Sequence, residues 1–194
     1  MATSAQRSPS TGTAAAATLQ VALNLTVLGS AAFGLGVAGL AARSFPVLWS
    51  GFAVPAVFVV LAAIAATPWF DPPPGRWRTG YTPVAAICVV ATPWMPAAVQ
   101  VAGALTLLGV GFAIIGSSEH LPAVRNAGLS AIVIGALSSS DLARGWLPLA
   151  ETGTYHLVPA LATALAGVCA AAVGVGLLLR HRQDTRGPAP LRTR

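Results

Sequence analysis

The sequence predicts an all-α membrane protein, a polytopic bundle of six transmembrane helices arranged as three hairpins. Three observations carry that prediction. Of 194 residues, 55% are hydrophobic and only 8% charged, against roughly 25% charged in soluble domains. Uncharged runs of about 20 residues recur, each long enough to span a hydrocarbon core. Proline and tryptophan punctuate those runs. Pro46, Pro83, Pro96, Pro122 and Pro159 stand near their starts, where a missing N–H costs nothing. Trp49, Trp69, Trp77, Trp94 and Trp146 stand near one end or the other of the expected helices, where the indole ring meets the bilayer interface.

Residues 1–17 are small and polar with one cation, Arg7, and read as a disordered cytoplasmic tail. The transmembrane domain then covers residues 18–180. Its first helix is expected over 18–42, an apolar run too long for a cleaved signal peptide. The second, over 46–67, ends before Asp71-Pro72-Pro73-Pro74-Gly75, because three prolines enforce extended backbone. Residues 83–116 contain no charge and as one helix would be about 51 Å long, too long for one crossing. Pro93-Trp94-Met95-Pro96 is the expected break, giving helices over 78–95 and 96–116. The first of these is short, and a re-entrant segment is the rival reading. Helices over 122–140 and 155–179 complete the set, followed by a basic cytoplasmic tail, 181–194.

Charge fixes the expected sidedness. All eleven cations are arginine, and five follow Leu179. With six passes and both termini cytoplasmic, nine arginines fall inside and two, Arg43 and Arg144, outside. Fusing 83–116 into one helix gives seven against four, so the positive-inside rule favours six. The expected location is the plasma membrane, with the lipid bilayer as the main partner. Anionic lipid head groups are expected at the C-terminal arginines, at about 1 kcal/mol each. No soluble domain is left to carry nucleic-acid binding.

Ala66-Thr67-Pro68-Trp69 recurs as Ala91-Thr92-Pro93-Trp94, and three turns carry proline: Phe45-Pro46, Met95-Pro96 and Leu147-Pro148. With Gly116, Arg125, Gly128 and Gly135, this glycine- and proline-marked plan over about residues 20–180 resembles the HdeD-like acid-resistance membrane proteins of bacteria. The Thr-Pro-Trp pair is similar to that of the SPW-repeat membrane proteins, although those begin with serine. The first resemblance implies six helices and a stress-related role, and neither supplies catalytic residues.

No Asp, Glu, Arg or His falls at mid-membrane under this topology, which argues against ion-coupled pumping. The embedded polar residues are Asn24, Thr26, Gln100, Thr106 and Ser138 to Ser140. Asn24 and Gln100 stand out, since an amide in hydrocarbon needs a partner, and with Thr26 they either line a polar path or make interhelical hydrogen bonds. Asp141, Glu151 and His156 could meet at the outer face, though solvated loop residues are the simpler reading. Small residues four apart place Gly34 and Gly36, and Gly174 and Gly176, at helix-packing positions, within the chain or in a homo-oligomer. Cys88 and Cys169 read as packing residues. No catalytic fingerprint, metal-ligand spacing or cofactor motif is present. The expected function is thus a non-enzymatic, multi-pass membrane protein with a stress-related, accessory or partner-binding role. The alternative is a channel or carrier for a small neutral or weakly polar solute.

Overall fold

The computed structural model describes residues 11–41, 47–67, 80–139 and 157–185. These are almost wholly helical, as the composition demands. Helix α1 is Thr11–Ala41, α2 is Val47–Ala65 and α3 spans Tyr81–Ala102. Then come α4, Ala104–Ser118, α5, Pro122–Ser139, and α6, Leu157–Thr185. Three segments are long and apolar enough to cross a membrane: Ala16–Ala41, Tyr81–Ala102 and Val158–Gln183. Gly51–Ala65 and Ala104–Ser118 are shorter apolar helices.

Several boundaries differ from those the sequence suggests. Helix α1 already begins at Thr11, inside the stretch expected to be a disordered tail, and Ala14 to Ala17 are the strongest helix formers available. At the other end α6 runs on to Thr185. The larger correction concerns residues 83–116. The Pro93-Trp94-Met95-Pro96 segment is not the turn. It stays inside α3 as a 3-10 turn, Thr92–Trp94, followed by a second α-helical section, Met95–Ala102. Each proline falls in the first turn of its section, where its absent N–H leaves no bond unmade. The Thr92 hydroxyl also bonds the Cys88 carbonyl at 2.9 Å.

The break comes at Gly103, with φ 81° and ψ 147°. An L residue rarely adopts a positive φ, so glycine is needed here. The chain then returns. The Gly80 N–H before α3 donates to Glu119 Oε1 after α4, at 3.0 Å, so the two ends of this hairpin meet. Phe58 of α2 fills the space beside it, against Gly111 and 5.5 Å from the Phe112 ring centroid. Between α4 and α5 the reversal is tighter. Leu121 N–H bonds the Gly116 carbonyl and His120 N–H bonds that of Ser117, with His120 at φ 56°. That is a Schellman cap with histidine in the usual glycine place, and Pro122 follows.

The closest packing joins α1 to α6, α4 to α5, and α2 to α3, rather than the consecutive pairs 1–2, 3–4 and 5–6. Glycine explains the first two. In α1 and α6, Gly29, Gly36, Gly167 and Gly174 each lie against partner backbone; in α4 and α5, Gly109, Gly116, Gly128 and Gly135 do the same. A methyl group at any of these eight would lie under 3.0 Å from partner atoms. Within each helix the two glycines stand seven apart, so they recur on one face every two turns. Of the glycines singled out from sequence, Gly36 and Gly174 sit in this seam, whereas Gly34 and Gly176 face open space.

The two seams are copies of each other. Gly174 faces Thr26 as Gly135 faces Thr106, and Gly36 faces Ala164 as Gly116 faces Arg125. The same register is written in the sequence. Residues 20–29, QVALNLTVLG, match residues 100–109, QVAGALTLLG, and Ala-x3-Ala-Gly-x2-Ala-x3-Gly occurs at both Ala123 and Ala162. The copies run in opposite directions. Gln20 of α1 reaches Glu119 beyond the end of α4, while Ala32 packs with Leu105 near α4's start. The pairs α1–α6 and α4–α5 therefore form an inverted repeat, with its approximate two-fold axis near Gly29 and Gly109.

Candidate functional site

The most site-like group among the described residues is a buried polar network where α1, α3 and α4 meet. Asn24 is fully buried, and Tyr81 is 3% exposed. The Asn24 amide donates from Nδ2 to the Gln20 carbonyl at 2.8 Å and to the Tyr81 hydroxyl at 2.7 Å. Gln20 Nε2 also donates to that hydroxyl, at 3.1 Å, and lies 3.5 Å from Glu119 Oε2. Through Gly80, the other Glu119 oxygen ties the network to the start of α3.

Helical spacing builds this site. Gln20 and Asn24 are one turn apart and share a face of α1. The Schellman cap ends α4 at Glu119, and the Gly103 reversal returns the start of α3 to that carboxylate. One atom is left over. Asn24 Oδ1 is buried with no hydrogen-bond partner among the described residues. A buried amide carbonyl favours a donor by roughly 1–3 kcal/mol, and here it lies beside a phenol hydroxyl with no donor among the described residues. An N–H or O–H donor satisfies that acceptor, and nothing in the group is a nucleophile paired with a base.

The residues expected to form a path do not gather here. Thr26 lies in the α1–α6 seam and donates to the Ala22 carbonyl at 2.8 Å. Gln100 is exposed and stands 19 residues along α3 from Tyr81, about 28 Å at helical rise. Asn24 therefore makes an interhelical hydrogen bond, to Tyr81, and Gln100 lies apart from it. Asp141, Glu151 and His156 lie outside the described residues. Cys88 is buried and Cys169 exposed, both free. No group of three His, Cys, Asp or Glu side chains placed to hold a metal occurs among the described residues.

Gln20, Tyr81 and Glu119 were missed because Gln20 precedes the apolar core of its helix, while Tyr81 and Glu119 read as residues at helix ends. The usable signal was the repeat, in which Gln20 and Gln100 are equivalent but only Gln20 is followed by asparagine. Comparison with protein-family models, curated proteins and solved structures finds no match to this chain.

Proposed function

We propose that this chain is a non-enzymatic, six-pass membrane protein that carries a small, neutral, weakly polar solute, with the Asn24–Tyr81–Gln20 network as its polar contact. The observation behind this reading is the fully buried Asn24 carbonyl oxygen, which takes no hydrogen bond from the described residues. Inverted repeats add support, since many carriers are built from two halves related by an axis in the membrane plane, with solute bound between them. A neutral solute fits because one carboxylate, Glu119, is the sole acid near the network among the described residues.

The cytoplasmic placement of both termini draws on charge. Packing directions bring the start of α1, the start of α5 and the end of α6 to one end of the bundle. Arg125, Arg180 and Arg182, the described arginines, all belong to that end, which suits a cytoplasmic face. A stress-related accessory role, the other reading the sequence allows, draws on no particular contact of the fold.

The test is solute flux. Vesicles reconstituted with the full chain should swell in glycerol, urea or acetamide faster than empty vesicles. Tyr81→Phe and Asn24→Ala should each slow that flux roughly fivefold or more, the equivalent of one hydrogen bond of about 1 kcal/mol. Flux indistinguishable from empty vesicles for all three solutes, or unchanged in both variants, overturns the reading. For the topology, reporters fused after Asn126 and after Arg182 should both appear inside.

A further inference from the structure

At the two-fold axis the inverted repeat leaves a cleft of about 590 Å³ between α5 and α6, floored by α1 and α4. That is within the range of small-molecule sites. Its walls are repeat-equivalent: Ala123, Ala127 and Ala131 on α5 match Ala162, Ala166 and Ala170 on α6. Alanines at this spacing form two smooth rows along the helices, leaving a furrow. The furrow opens sideways, since Leu165 is 65% and Val173 55% exposed on its rim. Ser130 and Cys169, themselves equivalent, are the polar-atom-bearing residues in the lining.

Among the described residues, the walls match but the two ends differ in charge. Beyond Val173, the same face of α6 continues through Leu177 to the exposed Arg180, seven residues and about 10 Å further on. Toward the opposite end, the described residues of α5 after Ile134 and of α6 before Ala162 carry no charge. An aliphatic furrow with a cation at one end is complementary to an amphiphile with an anionic head.

We propose that this cleft seats one acyl chain of an anionic phospholipid, with the phosphate at Arg180. The inference narrows a diffuse attraction to C-terminal arginines down to one site formed by two helices. It rests on the membrane-spanning reading but not on transport, so a failed flux assay leaves it standing.

The full chain in a neutral detergent, titrated with dioleoyl phosphatidylglycerol or dioleoyl phosphatidylcholine, should retain phosphatidylglycerol preferentially in native mass spectrometry. Arg180→Gln should lose roughly fivefold of that preference, the equivalent of about 1 kcal/mol for one surface arginine. Added phosphatidylglycerol should also slow alkylation of Cys169 on the furrow wall, while buried Cys88 stays unlabelled in either lipid. Ala166→Leu fills the furrow and should abolish retention. If that variant fails to fold, protection of Cys169 in the unmodified chain still decides the matter. Equal retention of both lipids, or an Arg180→Gln variant with unchanged preference, overturns the proposal. So does Cys169 protection that rises with protein concentration in lipid-free detergent, which would assign the furrow to a second copy of the chain.

Discussion

Residues 20–29 and 100–109 share seven of ten amino acids, yet they take different shapes. The first copy lies within one unbroken helix, α1. The second is cut at Gly103, where α3 ends and α4 begins. Two of the three differing positions account for this. Leu23 corresponds to Gly103, whose φ of 81° with ψ of 147° suits a residue without a Cβ. Asn24 corresponds to Ala104, and of the two only asparagine can bridge to Tyr81. The break also has a local cost. The Thr26 hydroxyl bonds the carbonyl four residues back, whereas its counterpart Thr106 Oγ1 is buried without a partner among the described residues. With the helix interrupted one turn earlier, that carbonyl no longer lies beneath it. Downstream, the copies converge again: Leu28 and Leu108 are both buried, and Gly29 and Gly109 both meet partner backbone. Packing is thus common to the two copies, and direction and polarity are not.

Substitutions can break that comparison or sharpen it. The largest effect should come from the shared element. Gly109→Leu drives a side chain into the Gly128 and Ile132 backbone and should cost about 3 kcal/mol, the upper part of the overpacking range, read as unfolding in mixed micelles. Next, Gly103→Leu gives the second copy the residue of the first. It should cost about 1–2 kcal/mol for placing an L side chain at positive φ, and a smaller loss would mean that the reversal can relax. Tyr81→Phe should cost about 1 kcal/mol by removing the acceptor shared by Asn24 and Gln20. Its double variant with Asn24→Ala should cost less than the sum of the two, because one hydrogen bond is counted in both. Gly34→Ala completes the series. Open space surrounds that position, so stability should hold or rise by up to about 1 kcal/mol from helix propensity. A large loss there would reveal a contact outside this chain.

The helical class, and the existence of six helical segments among the described residues, were legible because apolar run length and proline position are local properties. The break within residues 83–116 was not. Two prolines look like a stronger interruption than one glycine. Yet a 3-10 turn absorbs Pro93 and Pro96 where no N–H is required, and Gly103 alone allows the chain to turn back. The candidate site was half legible. Asn24 is visible as an amide in an apolar run, but its partner depends on which helix end comes back beside it. Gln100 looks equivalent in sequence and ends about 28 Å along α3 from Tyr81.

By itself, then, the sequence determined that this chain is a helical membrane protein, and it encoded the repeat that shapes its core. Burial of apolar runs and the heptad spacing of glycine act within single helices, so they can be read along the chain. Which helices pair was decided only in three dimensions, where α1 chooses α6 from the far end of the sequence. The physical reason is close approach. Backbones meet where the glycines of one helix fall in register against the backbone of its partner, and that register, together with the Gly103 reversal, brings Asn24, Tyr81, Gln20 and Glu119 to one place.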